Sequence, residues 1–145
     1  MPVNVVERNG ESWFKIPNHD TLRPFFMSIV SDSNHWLFIS SNGGLTAGRK
    51  NAEHALFPYY SDDKITDMAD MTGSKTIIQW RAEGQEKIWE PFSNLASDKY
   101  KLSRNLYKNH YGNKIMFEEV NHDLGLAFRY RWSSSDTFGF VREAT

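Results

Sequence analysis

The stretch FFMSIVSDSNHWLFISSNGGLTAGRKNAEHALFPYY, residues 25–60, sets two apolar-aromatic runs, FFMSIVS and HWLFISS, ahead of the turn Asn42-Gly43-Gly44. In HWLFISS (35–41), His35, Leu37 and Ile39 fall on one face of a strand and Trp36, Phe38 and Ser40 on the other. Both faces carry apolar weight, as in a strand covered on both sides. The pair Asn42-Gly43 predicts a type I′ hairpin turn, whose two central residues both need φ > 0. LTAGRK (45–50) then returns antiparallel and carries Arg49 toward its far end.

Working outward, the same period continues. KTIIQWRA (75–82), EKIWEPF (86–92), YKLSRNLYKN (100–109), KIMFEEV (114–120), GLAFRYRWS (125–133) and TFGFVRE (137–143) are strand-like runs. Turn residues join them: Tyr111-Gly112-Asn113, Asn121-His122-Asp123, and Ser133 through Asp136. In the run 125–133, Leu126, Phe128, Tyr130 and Trp132 share one face, and Ala127, Arg129, Arg131 and Ser133 the other. One face is core and the other meets solvent or a ligand. Short helices are expected only around 51–56 and 93–97. Regular short strands of this kind predict an all-β fold, an antiparallel β-sandwich forming one domain over residues 1–145.

Composition narrows the function classes. A chain of 145 residues is long enough for its own core. With 17 basic and 18 acidic side chains the net charge is -1, so no chain-wide field favours nucleic acid or an anionic membrane. There is no cysteine, hence no disulfide, thiolate metal site or cysteine nucleophile, and a reducing cytoplasm is the expected setting. The opening MPVNVVERNG has no basic-then-apolar leader pattern, and no apolar run reaches about 18 residues.

At this point the order of motifs resembles a known family. TLRPFFMSIVSDSNHWLFISSNGGLTAGR, LFPYYSDDKI, IWEPF and RNLYKNHYGNKIMFEE are similar, in order and spacing, to the amino-terminal β-sandwich of inverting carbohydrate phosphorylases of the cellobiose and chitobiose phosphorylase type. The matching positions are Pro24-Phe25, Asn42-Gly43-Gly44, residues 56–60, Trp89-Glu90-Pro91 and residues 107–119. The resemblance implies a super-sandwich of the galactose-mutarotase-like kind, packed against a helical catalytic barrel further along a parent chain. Such a module helps shape the sugar cleft or a dimer and does not supply the proton donor. The implied partners are therefore carbohydrate, that barrel and a second copy, with no cofactor. The family's sandwich is much longer than 145 residues, and Ala144-Thr145 ends the chain abruptly, so the sequence reads as a front fragment. Apolar surface meant for the remainder would then lie open.

The residues themselves offer little acid–base chemistry. Glu118 and Glu119 are adjacent, but strand neighbours point to opposite faces and cannot act as a pair. Asp62, Asp63, Asp67 and Asp70 sit in a polar loop and read as turn formers or helix caps; they offer hard oxygen ligands of the kind calcium takes, but without the spacing of an EF-hand. His19, His35, His54, His110 and His122 are scattered, with no metal-binding pair spacing among them. No nucleophile elbow or phosphate-binding loop is present.

Aromatic and guanidinium groups are left. Sugars present apolar C–H faces edged by hydroxyls, so rings flanked by Arg or amide groups suit them. The rings are Trp36, Trp80, Trp89, Trp132, Tyr59 and Tyr107, with Arg49, Arg81, Arg104 and Arg129 near them in sequence. The carbohydrate-binding candidates are Trp89, Arg49, Tyr107, Arg104 and Trp36, with Trp89 expected to be exposed because Lys87 and Pro91 beside it are not core-like. The function expected is a non-catalytic module lining a sugar cleft. The alternatives are an aldose 1-epimerase, pairing His35 or His110 with Glu118 or Glu119, and a stand-alone carbohydrate- or protein-binding sandwich.

Overall fold

The computed structural model describes residues 3–57, 62–95 and 97–145, and for Asp62 and Asp63 the backbone alone. In chain order the strands are β1 (Asn4–Arg8), β2 (Glu11–Pro17), β3 (Phe26–Ile29), β4 (His35–Ser40), β5 (Leu45–Arg49), β6 (Ala55–Phe57), β7 (Ile78–Ala82), β8 (Gln85–Trp89), β9 (Leu102–Asn109), β10 (Lys114–Asn121), β11 (Leu126–Ser135) and β12 (Gly139–Ala144). A six-stranded sheet runs β1-β2-β9-β10-β11-β12, a four-stranded sheet β3-β4-β5-β6, and β7-β8 form a separate hairpin. Every pairing is antiparallel. The all-β, antiparallel, sandwich-like fold expected from the period-2 pattern is the fold found.

The core lies between the two larger sheets. Met27, Ile29, Leu37, Ile39, Leu45 and Ala47 from the four-stranded sheet meet Leu106, Ile115, Phe117 and Trp132 from the six-stranded one. Farther along the same inner face of the six-stranded sheet, the β7-β8 hairpin takes over as cover, with Trp89 on Leu124 and Phe128. The alternation read for 125–133 holds: Phe128 and Trp132 are buried, and Arg129 and Arg131 lie on the outer face.

Three features correct the sequence reading. β1 and β2, which were not anticipated, add a hairpin at one edge, turned by Asn9 and Gly10 at φ 52° and 75° between Arg8 and Glu11. That is the type I′ geometry expected at Asn42-Gly43. There, instead, the Gly43 N–H donates to the Ser40 carbonyl (2.8 Å) and the Ser40 N–H to the Gly44 carbonyl (2.8 Å), with only Gly43 at positive φ, 94°. The loop thus has three residues, a type I turn closed by a glycine bulge. The hydrophobic pattern explains the choice. The observed register pairs Ile39 with Leu45 and Leu37 with Ala47, all inward. A two-residue loop would pair Ile39 with Thr46 and turn Leu45 outward.

The third correction concerns the acidic run, where the backbone forms a short helix, α1 (Asp62–Asp67), and not a loop. Its Ile65 is fully buried. At 51–56 the expected helix is a single 3₁₀ turn, Ala52–His54, with Asn51 accepting from the Glu53 N–H at 3.2 Å. Residues 93–95 and 97 hold turns and bends, without a helix.

Helix α1 rests directly on the turn. The Asn42 side chain donates to the Thr66 carbonyl (2.8 Å), and a Cβ placed on Gly44 would fall 1.9 Å from the Ile65 carbonyl oxygen. Gly44→Ala is therefore expected to cost about 1–3 kcal/mol by overpacking, and Gly43→Val a similar amount through strain at positive φ. Arg49→Ala, at an exposed strand end, should stay within about 0.5 kcal/mol. Thermal melts of the three variants check this, and an unshifted Gly44→Ala would contradict the packing of α1 on the turn.

Candidate functional site

The five residues nominated from sequence do not converge on one place. Trp89 is not exposed: it retains 1% of its surface, and its indole N–H donates to Glu119 Oε1 at 2.8 Å. Its neighbours misled because Lys87 lies over the Trp80 ring, 5.5 Å from the centroid, while Pro91 is itself buried. Arg104 joins Trp89 on the same carboxylate, its Nε donating to Glu119 Oε2 at 2.6 Å.

Tyr107 faces the opposite side of β9, buried, with its hydroxyl donating to Glu118 Oε1 at 2.8 Å. Trp36 lies on the outer face of the four-stranded sheet, stacked on Phe38, which stacks in turn on Phe26. Arg49 is exposed at the end of β5. Of the other rings, Trp132 is buried and Trp80 half-buried, and Tyr59 lies outside the described residues.

The two glutamates at the centre of β10 are both fully engaged. Glu119 retains no exposed surface and receives Trp89 Nε1, the Phe92 N–H (2.9 Å) and Arg104 Nε. The rest of the Arg104 guanidinium grips the loop after β8, donating to Asn94 Oδ1 (3.1 Å) and the Ser93 carbonyl (3.0 Å). On the other face Glu118 receives Arg129 Nε (2.5 Å), the Tyr107 hydroxyl, Asn105 Nδ2 (2.8 Å) and Arg8 (3.2 Å). Burial pushes the Glu118 carboxyl upward, but the donated hydrogen bonds of Tyr107, Asn105 and Arg129, with the Arg129 charge, outweigh it and hold it down at about 2. Burial, then the bond to Glu118, pushes the Tyr107 phenol up to about 12.

The Glu119 clamp shapes a cavity of about 240 Å³ at the end of the sandwich. Phe92 is held at φ 65°, a left-handed conformation uncommon for an aromatic residue, with its N–H tied to Glu119. Its ring meets Tyr130 edge-on at 5.2 Å, and Tyr130 stacks on Phe117 at 4.9 Å. Polar groups of Asn42, Asn94, Arg104, Asp20 and Ser41 edge these rings. His19, in the 3₁₀ turn His19–Thr21, is 5% exposed and sits edge-on to Phe117. Burial pushes its imidazole below the ordinary range, and its Nδ1 has no hydrogen-bond partner among the described residues.

Chemically, this arrangement suits a small polyhydroxylated ring, with an apolar wall on one side and forked polar groups at the edge. Among the described residues a single carboxylate, the exposed Asp20, lines it, and glycoside hydrolysis uses two flanking carboxyl groups. Among the described residues no group of three His, Cys, Asp or Glu side chains could hold a metal ion.

Sequence reasoning nominated Arg104 for this site and missed Phe92, Phe117, Tyr130 and His19. Tyr130 was legible only as core, and no sequence signal separates His19 from the other histidines. No family model matches the chain, and no curated protein matches it by sequence.

Two stability consequences follow from the paired carboxylates. Glu119→Ala leaves Arg104 without its carboxylate, and the Trp89 indole and Phe92 N–H groups without their acceptor, and is expected to cost about 3–5 kcal/mol. Glu118 has a lowered folded pKa, so its contribution is complete above the ordinary value of 4.5 and is lost as pH falls through about 2. Glu118→Gln should therefore cost about 2–3 kcal/mol at neutral pH and flatten the loss of stability between those two pH values, as read by urea unfolding at a series of pH values.

Proposed function

We propose that this chain is a non-catalytic β-sandwich module of a carbohydrate-active enzyme, of the glycoside phosphorylase or hydrolase type, and that the cavity at Phe92 forms part of the wall of its sugar cleft. The observation that carries this reading is Phe92 itself. A non-glycine residue held in a left-handed conformation costs of order 1–3 kcal/mol, and it is maintained here by a buried carboxylate that aims the ring into a cavity edged by amide and guanidinium groups.

Two further observations support it. Glu118 and Glu119 are each held by arginines, which favours a structural role for them over that of an epimerase acid or base. Ile88 on β8 and Ile77 just before β7 stand exposed, with Leu95 and Met71 also exposed, as expected of a module that packs against another body.

The test is a titration of the chain with glucose, cellobiose and N-acetylglucosamine, followed by amide chemical shifts, together with turnover assays on aryl glycosides and α-glucose. Saccharide binding centred on residues 92–94 and 104 is expected, weakened about tenfold by Phe92→Ala or by Asn94→Ala, without turnover. Turnover that disappears in His35→Ala or Glu118→Ala would replace this reading with the epimerase one.

A further inference from the structure

On the outer face of the six-stranded sheet lies a second cavity, larger, of about 360 Å³. Its walls include Arg8 from β1, Trp13 from β2, Arg129 and Arg131 from β11, Met116 from β10 and Glu143 from β12. The strands bring together three guanidinium groups that are far apart in sequence. Three side-chain carboxylates, Glu118, Glu143 and Glu11, stand near them among the described residues. Arg8 and Arg129 share the single Glu118, while Arg131 pairs with Glu143, whose side chain is 55% exposed. Glu11, also on the rim, bonds Lys114 and Asn109 and attracts Arg131 through its charge.

Two donors in this wall are left without acceptors. Trp13 Nε1 and Arg131 Nε are both buried and have no hydrogen-bond partner among the described residues. Trp13 as a whole is 3% exposed. Indole and guanidinium groups donate and never accept, so a hydroxyl-rich neutral ligand satisfies them less well than one presenting several acceptor oxygens and a negative charge. Unpaired buried N–H groups are rare in folded chains, and two of them at one cavity that also holds three guanidinium groups ask for the same kind of partner.

We propose that this cavity binds an oxyanion, a carboxylate or a tetrahedral sulfate- or phosphate-type group, through Arg8, Arg129, Arg131 and the Trp13 indole. Met116 and the Trp13 ring, which pack with Tyr107 and Val6, give the remainder of such a ligand an apolar floor. Tyr130 lines both this cavity and the one at Phe92, but Arg8, Arg129, Arg131 and Trp13 line this one and not the other, so the proposal stands whether or not the cavity at Phe92 binds sugar.

The experiment is a titration of the ¹⁵N-labelled chain with sodium sulfate, with sodium glucuronate and with glucose, at ionic strength held constant with chloride. The reporter is the Trp13 indole resonance, assigned by its loss in Trp13→Phe. A saturable shift with a dissociation constant of about 1 mM or tighter is expected for at least one of the two anions, and none for glucose. Saturation by sulfate assigns the site to a free tetrahedral oxyanion, and a response to glucuronate alone assigns it to a carboxylate carried on a sugar ring. Arg131→Gln should weaken binding about tenfold, and Arg81→Gln, in an exposed pair with Glu86, should leave it unchanged. If circular dichroism shows Arg131→Gln unfolded, Arg8→Gln on the edge hairpin tests the same point. No saturable shift with either anion, an equal shift with glucose, or unchanged affinity in the folded arginine variants would overturn the proposal.

Discussion

The buried carboxylate of Glu119 is the constraint on which the rest of the structure depends. A charge with no exposed surface is tolerated only when its oxygens are filled by donors, and here they come from three parts of the chain: the end of β8, the loop after it and the neighbouring strand β9. None of these can move without stranding the charge. Among the described residues the β7-β8 hairpin shares no strand pairing with either larger sheet, so this carboxylate, the bond from the Tyr100 hydroxyl to the Ile88 carbonyl and the apolar contacts of Trp89, Ile78 and Trp80 register it against the inner face. The same bonds fix Phe92 in its unusual backbone conformation and, through Arg104, hold the loop at Asn94. The candidate sugar cavity is thus a by-product of how one charge is satisfied.

The residue just before it meets the opposite fate for a geometric reason. Successive strand residues point to opposite faces, so Glu118 reaches the outer surface of the sheet while Glu119 reaches the core. Outside, Glu118 sits among guanidinium groups that keep a third of their side-chain surface and remain solvated. The pair Arg8 and Glu118 spans 110 positions of sequence and ties the amino-terminal hairpin to the centre of the sheet. Identical side chains at adjacent positions therefore serve as a core anchor and as a surface clamp, and the outer clamp leaves guanidinium donors over for the second cavity.

Most of the fold was legible in the sequence. Nine runs, the six from KTIIQWRA to TFGFVRE and the three of the stretch 25–60, hold strands because alternation and turn residues are local properties, satisfied within a few neighbours. What misled were places where a local rule had two solutions. Asn42-Gly43 satisfies a type I′ turn on paper, yet burial of Leu45 against the core requires the longer loop, while Asn9-Gly10 adopts the type I′ form because the pairing of Arg8 with Glu11 leaves only two residues between. The acidic run at 62–67 reads as a loop until Ile65 is seen to plug the turn at Gly44.

The sequence by itself determined that the chain is antiparallel β, where its later strands lie, and that its adjacent glutamates face apart, because each of these follows from a period of two and from the φ preferences of a few turn residues. The tertiary structure alone decided which tryptophans are buried, which donors satisfy each carboxylate, and which rings and guanidinium groups share a cavity. Those are decided by how the sheets stack and by the cost of leaving a buried charge or N–H unpaired, and the groups involved lie on strands far apart in the chain, such as Trp89 and Glu119 or Arg8 and Arg129.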